Sequence, residues 1–189
     1  IQKVIFITTK NLDYLRNTQE IELLKEEYDG VTVIGSYSKS YVKRLLYVYI
    51  RLLFTSMKEF ETIFVGFAPQ LIVPFFKWKF KRKKLVIDFF ISMYDTLVLD
   101  RKKFHSHSLM AKILRKWDQM TLRAADRVIA DTKAHGDYFV KELGLEEKRL
   151  QVLYLKADST IYRPGKVERP KEVKDKFVVL YFGSVLPLQ

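Results

Sequence analysis

Short, continuously apolar segments alternate regularly with longer amphipathic ones along this chain, and this alternation limits the folds that it can adopt. The short segments are rich in β-branched residues, which favour strands. A strand that is apolar along its whole length is buried on both faces, which is typical of parallel sheets. The alternation therefore predicts an α/β fold, namely an open, Rossmann-like parallel sheet with helices on both faces.

The predicted strands are residues 3–9, 31–35, 62–68, 84–90, 127–131 and 150–155. The predicted helices are residues 12–28, 41–58, a segment opened by Pro69, 108–124 and 133–143. Ser40 and Thr132 are suited to begin helices, because a hydroxyl oxygen accepts from the free N–H groups of the first turn. Gly144 suits the left-handed residue that ends a helix.

Composition changes near the end of the chain and predicts a domain boundary. Residues 165–176 contain proline, glycine and many charges, which is typical of an interdomain linker. We therefore predict a first domain over residues 1–164, a linker over 165–176, and the start of a second domain over 177–189. Residues 177–182 (FVVLYF) are typical of a strand. This strand either opens a second domain that is incomplete in this sequence or returns to the first sheet.

Positive charge is concentrated in one part of the chain. The formal net charge is +12, and residues 41–84 alone contain ten basic and two acidic side chains. Such a localised cationic surface implies an anionic partner, which is a lipid headgroup, a nucleic acid or a phosphorylated substrate.

Two interpretations apply to the predicted helix 41–58. It is either a core helix whose cations reach outward, or an interfacial helix that lies on a membrane. The downstream segment PFFKWKFKRKK favours the membrane, because aromatic rings and cations together suit an anionic lipid surface. No recognisable nucleic-acid-binding module surrounds it. The predicted membrane contacts are Lys43, Arg44, Arg51, Lys77, Trp78, Lys79, Lys81, Arg82, Lys83 and Lys84.

Motifs for common cofactors are missing from the sequence. The residues after the first strand, TTKNLDYLRN, contain no glycine, so a dinucleotide cofactor is not expected. The chain has no cysteine, and His105 and His107 are expected in a solvated loop rather than at a metal. The predicted cofactor set is therefore empty, and no metal site is predicted.

Acidic residues at and beyond the strand 84–90 are candidate ligand contacts. Asp88 lies at the carboxyl end of this strand, where open α/β sheets bind ligands. Asp95 and Arg101 follow in a long aromatic loop. This loop is either simply packed against the protein, or it is a wall whose carboxylates orient ligand hydroxyl groups through hydrogen bonds.

Residues 124–164 resemble glycosyltransferase family four, a group of enzymes with the two-domain GT-B architecture. The resemblance depends on a short strand with its helix, a second strand, and a proline that leads toward the second domain. FVVLYFGSV is similar to the first strand and glycine turn of the donor domain of that family. The matching residues are Ala125, Asp126, Val128, Ile129, Ala130, Thr132, Lys148, Val152, Asp158, Tyr162 and Pro164.

The resemblance implies the acceptor-side half of a retaining, hexosyl-type glycosyltransferase, truncated at the start of its donor domain and inactive alone. The complete enzyme would move a sugar from a nucleotide-sugar donor to a hydroxyl of a glycan or lipid-linked acceptor, at the cytoplasmic face of the cell membrane. Asp88, Asp95 and Arg101 would contact the acceptor, and Gly183 and Ser184 the donor. The donor domain of the family carries two glutamates eight positions apart. The alternative hypothesis is a non-catalytic α/β module that docks to a membrane or nucleic acid through residues 41–84.

Overall fold

A computed structural model of the chain describes residues 2–157, 159–165, 168 and 170–179. The chain divides into a compact unit, residues 1–155, and a second unit, residues 156–189. In the second unit, the described residues include the 3₁₀ turn Lys171–Val173, and residues 177–179 have no regular secondary structure. The remainder of the predicted strand 177–182 lies outside the described residues, as do Gly183 and Ser184.

The compact unit alternates strands with helices in chain order. Its strands are β1 (Lys3–Asn11), β2 (Gly30–Ser36), β3 (Thr62–Val65), β4 (Lys84–Asp88), β5 (Arg127–Ala130) and β6 (Leu150–Val152). Its helices are α1 (Leu15–Glu27), α2 (Tyr41–Phe54), α3 (Val73–Phe80), α4 (Leu109–Ala124) and α5 (Lys133–Leu143). Two 3₁₀ turns, Pro69–Leu71 and Glu147–Arg149, and a π-helical segment, Asp95–Asp100, lie between them.

The strands form one parallel sheet in the order β2-β1-β3-β4-β5-β6, which confirms the predicted Rossmann-like fold. The chain moves in one direction across the sheet from β1 to β2 and in the other direction for every later step. Because crossovers between parallel strands are right-handed, this change of direction places α1 on one face and α2–α5 on the other. Both faces therefore carry helices, as predicted, but very unequally.

The two faces have separate cores. The larger core lies under α2–α5 and includes Ile63 and Ile87 of the sheet together with Leu52 and Phe139. The smaller core lies under α1, where Phe6 and Phe64 stack with ring centres 5.3 Å apart. Beyond α1 this face forms a groove of about 560 Å³, whose lining includes Phe64, Val86 and Ile129.

Predicted helix ends agree with the structure at most positions. Ser40 and Thr132 accept from backbone N–H groups at the starts of α2 and α5, and Gly144 ends α5 with a φ of 73°. Helix α2 is shorter than predicted, however, and ends at Phe54 rather than near residue 58. There, Lys79 donates to the backbone oxygens of Leu52 and Leu53, which satisfies carbonyls of the last helical turn.

Candidate functional site

The strand order reverses between β1 and β3, and this point of the carboxyl edge is where open α/β sheets form a ligand crevice. Three half-buried aromatic side chains meet there, from the segments that follow β1, β3 and β4. The ring of Tyr14 meets the ring of Phe67 edge-on at 6.2 Å, and Phe67 meets Phe90 at 5.8 Å. We call Tyr14, Phe67 and Phe90 the aromatic platform.

A lysine lies over the aromatic platform. The ammonium nitrogen of Lys10 is 5.3 Å from the ring centre of Tyr14 and 5.0 Å from that of Phe67, within the range of cation–π attraction. No carboxylate in the described part of the chain forms an ion pair with Lys10. The aromatic platform therefore combines apolar ring surface with a cation whose charge is not neutralised.

The backbone of the aromatic platform is held in place. The hydroxyl of Thr9 donates to the backbone oxygen of Phe67 at 3.3 Å. Ala68, the next residue, has a φ of 54°, which is a left-handed conformation that costs a non-glycine residue about 1–2 kcal/mol. Strained positions of this kind cluster at functional sites, and this one lies directly beside the crevice.

Asp88 lies at the carboxyl edge, as predicted from its place at the end of β4, but it is only 1% exposed. Arg16 of α1 donates to both of its carboxylate oxygens, with each N–O distance 2.6 Å, and also to the backbone oxygen of Leu153. Burial raises the pKa of Asp88, and the Arg16 guanidinium opposes that rise. In this arrangement Asp88 orients Arg16, and neither of its carboxylate oxygens is free to contact a sugar acceptor.

Glu20 lies beside this pair and was not singled out by the sequence. Its side chain is 1% exposed, and neither carboxylate oxygen has a hydrogen-bond partner in the described part of the chain. The nearest cation, the Nε of Arg16, is 3.6 Å away. Burial, and then the charge of Asp88, raise the pKa of Glu20 well above its usual range. Burial therefore favours the neutral form of Glu20 beside the Arg16–Asp88 pair.

Asp95 belongs to a loop that a second buried acid holds. Asp118 of α4 is completely buried and accepts from the side chain of Ser92 at 2.7 Å and from the backbone N–H of Tyr94 at 2.9 Å. Asp95 itself is half-buried and accepts from the Tyr138 hydroxyl at 2.5 Å. Burial raises the pKa of Asp95 and, more strongly, that of Tyr138.

Arg101 lies at the exposed end of the π-helical segment, and no described side-chain contact joins it to Asp88 or Asp95. The structure thus does not gather the three predicted acceptor contacts into one cluster. Another pair is present at this edge instead: Asp131, which follows β5, lies 2.6 Å from the Nδ1 of His135 in the first turn of α5. A carboxylate at Nδ1 fixes the imidazole and leaves Nε2 as its outer polar atom.

The sequence contained two signals for these groups that were missed. Lys10, Phe67 and Phe90 all lie at or just beyond the ends of strands in chain positions that a parallel sheet brings to one edge. Asp131 and His135 are four residues apart across a helix start, a spacing that places side chains together. Tyr14 gave no such signal, because its ring is placed by tertiary contacts.

The predicted membrane residues divide into two groups. The first group is exposed on or beside α2 and α3 and comprises Lys43, Arg51, Lys77, Trp78, Lys81 and Arg82.

Arg44 is only 6% exposed and leaves the set of predicted membrane contacts, because its guanidinium is required inside the protein to bind the backbone oxygens of Thr9, Ser38 and Lys39. Lys79 binds the end of α2, and Lys83 donates to the backbone oxygen of Lys58 at 3.0 Å. Lys84 is exposed but lines the groove beyond α1, on the opposite face of the sheet.

Helices α2, α3 and α4 present a large apolar surface to solvent. Ring contacts link the three helices, since Phe75 lies 6.1 Å from Tyr49 and 5.7 Å from Trp117 between ring centres. The only acid in these helices is Asp118, which is buried. We call this exposed area the apolar–basic surface. Its large hydrophobic residues are Val42, Leu46, Tyr47, Ile50, Leu53, Phe54, Phe75, Trp78, Leu109, Met110, Ile113 and Met120.

Comparison with known proteins leaves the family open. No protein-family model matches the chain, and no curated protein matches it at a significant level. Across the described residues, no helix has the length and apolar composition needed to cross a bilayer. Within the same residues, no three histidine, aspartate or glutamate side chains gather closely enough to hold a metal ion.

Proposed function

We propose that this protein binds an anionic membrane through its apolar–basic surface and serves there as the acceptor-binding half of a retaining glycosyltransferase. The donor is a nucleotide sugar, and the acceptor is a glycan or lipid-linked glycan at the cytoplasmic face of the cell membrane. Support comes from three sources: the apolar–basic surface, the Rossmann-like sheet with its crevice, and the resemblance of residues 124–164 to glycosyltransferase family four.

The observation that carries the proposal is the apolar–basic surface itself. Phe54 is 85% exposed and Trp78 66% exposed, although large aromatic side chains are normally buried. Extended apolar patches that are exposed to solvent are typical of interaction sites. Cations around such a patch favour an anionic partner. Each basic residue near such a lipid surface contributes about 1 kcal/mol of binding free energy.

The position of α2 connects this surface to the crevice. Helix α2 begins at the carboxyl edge of the sheet, where the hydroxyls of Tyr41 and Thr9 are 3.4 Å apart, and Thr9 also binds Phe67. A membrane against α2 therefore lies close to the aromatic platform. This proximity favours an acceptor whose glycan part occupies the crevice while its lipid part stays in the bilayer.

The chemistry assigned to this half is orientation of the acceptor hydroxyl. The carboxylates of Asp95 and Asp131 offer hydrogen-bond acceptors to sugar hydroxyls, and Asp88 acts through Arg16. Arg101 is assigned to a more distant part of the acceptor, because it is exposed at the far end of its helix. Gly183 and Ser184 are assigned to the donor diphosphate, because they match the glycine turn of the donor domain in the family that the chain resembles. No metal is assigned.

Membrane binding is tested by sedimentation of the protein with vesicles of phosphatidylcholine alone or mixed with phosphatidylglycerol. We expect binding to the anionic vesicles and at least a tenfold loss in the Ile50→Glu variant. Leu15→Glu is the matched control, because Leu15 is 50% exposed and Ile50 55%, but Leu15 lies on α1. Equal binding to both vesicle types, or equal losses in both variants, would refute the proposed surface.

The transferase part is tested by the coding sequence downstream of residue 189. A further domain with two glutamates eight positions apart, together with thermal stabilisation of the complete protein by a nucleotide sugar, supports the enzyme. A stop codon directly after residue 189, with vesicle binding intact, supports a non-catalytic membrane-docking module instead. Robust sugar transfer by residues 1–189 alone would contradict the proposal that a further domain binds the donor.

A further inference from the structure

We propose that the aromatic platform and Lys10 together form a subsite for a sugar ring that carries a phosphate group. This inference rests on the proposed function and specifies the acceptor more closely. The recognised chemistry is one apolar ring face and one attached phosphate.

The aromatic platform supplies the surface for the ring. Tyr14, Phe67 and Phe90 are each partly exposed, and their edge-to-face contacts fix the angles between them. The C–H face of a pyranose is apolar, while its hydroxyls point outward around the ring, so it packs well on an aromatic side chain. Ligand sites are typically built in this way, from an apolar wall with a few placed polar groups. Asp95 and Asp131 lie at the same edge of the sheet and are available to the hydroxyls.

Lys10 supplies the charge for the phosphate. The other cation at this point, Arg16, lies with its guanidinium carbon 5.3 Å from the Phe90 ring centre, but its charge is matched by Asp88. Lys10 has only ring faces as partners in the described part of the chain. A phosphate attracts an ammonium more strongly than a ring face does, so it would draw Lys10 off the rings. The same movement uncovers ring surface for the sugar.

The aromatic platform lies close to the start of α2. Thr9 binds the backbone oxygen of Phe67 and contacts Tyr41, the first residue of α2. Lys10 follows Thr9 in β1, so a phosphate bound by Lys10 lies at the carboxyl edge of the sheet, where α2 begins. The shared chemistry has two sources, a soluble sugar phosphate or a sugar joined to lipid through phosphate, and the experiment separates them.

The experiment is ligand-observed saturation-transfer NMR on the 189-residue protein with glucose 6-phosphate and glucose. We expect strong transfer to the ring protons of glucose 6-phosphate, and at least tenfold weaker binding of glucose. Phe67→Ala and Lys10→Met should each weaken glucose 6-phosphate binding by tenfold or more. Tyr37→Ala and Lys39→Met are the matched controls, because both residues are exposed near the same edge but outside the aromatic platform. Circular dichroism confirms that each variant is folded.

A second arm uses phosphatidylcholine vesicles that contain polyprenyl-phosphoglucose. If the protein binds these vesicles and Phe67→Ala abolishes the binding, the ligand is a lipid-linked sugar phosphate. If only glucose 6-phosphate binds, the ligand is a soluble sugar phosphate. Equal affinity for glucose and glucose 6-phosphate would overturn the role of Lys10. Unchanged binding in Phe67→Ala, or no binding of any sugar, would overturn the subsite. Because plain anionic vesicles test the apolar–basic surface separately, these failures are distinguishable from failure of the proposed function.

Discussion

Replacing Glu20 with glutamine should stabilise the protein increasingly as the pH rises. Glu20 is buried without a hydrogen-bond partner in the described part of the chain, next to the ionised Asp88. Its pKa in the folded protein is raised by burial and by that neighbouring charge. Glutamine has almost the same shape and cannot ionise.

The size of the change in the free energy of unfolding follows from the linkage between proton binding and folding. In the unfolded chain a glutamate titrates at about pH 4.3, so between this pH and the raised native pKa only the folded state holds the proton. Within that window the wild-type free energy of unfolding decreases by about 1.4 kcal/mol per pH unit because of Glu20. Above the native pKa the loss stays constant. The Glu20→Gln variant lacks this loss, so its stability relative to the wild type rises with pH through the window.

The assay is urea denaturation of both proteins at each pH unit from 5 to 9. For a domain of this size, each kcal/mol corresponds to about 2–4 °C in melting temperature, which calorimetry can confirm. Glu22→Gln is the matched control, because Glu22 is exposed on the same helix. Stability curves of wild type and Glu20→Gln that run parallel across this pH range would refute the assignment. A wild-type protein more stable than the variant at pH 8 would show that Glu20 is ionised and paired with Arg16.

Two further predictions separate residues that hold the structure from residues that face outward. Arg44→Met should lower the free energy of unfolding by about 2–4 kcal/mol, since it leaves the carbonyls of Thr9, Ser38 and Lys39 without this donor. The exposed Arg51→Met should weaken anionic vesicle binding and leave stability unchanged. Asp118→Ala should lower the free energy of unfolding by about 3–5 kcal/mol in urea denaturation, because it leaves the donors of the loop before Asp95 without their acceptor. Asp100→Ala, at an exposed residue, should leave this free energy almost unchanged. Matching losses within either pair would contradict these roles.

Local patterns were sufficient to predict the strands and most helix ends. The segments around Ile5, Ile63 and Ile87 are apolar throughout because both of their faces are buried, and that property is visible along the sequence. Ser40 and Thr132 act within their own helical turns, so their roles are equally local. The end of α2 depends instead on Lys79, a residue from another helix, and the sequence pattern therefore extended α2 too far.

The candidate site was harder to predict because its contacts are remote in sequence. Arg16 and Glu20 lie on the inward side of α1 together with the apolar Leu24, and apolar periodicity gives no reason to expect charged residues there. Arg16 is buried because it meets Asp88, which lies 72 positions away. The pairing of Asp118 with the loop after β4 is likewise a tertiary contact. The sequence predicted the edge at which the site lies, but not which side chains remain free there.

The unequal distribution of helices has a consequence for how the protein would meet a bilayer. The exposed side of α1 contains Glu22, Glu26 and Glu27, whereas α2–α4 expose cations and no acids on the opposite face of the sheet. Such a separation of charge turns a diffusing molecule so that its positive side leads toward a negative lipid surface. At physiological salt, ionic screening limits the range of this orienting force to about 8 Å. The force therefore acts only in the final approach, where it raises the fraction of encounters that lead to binding.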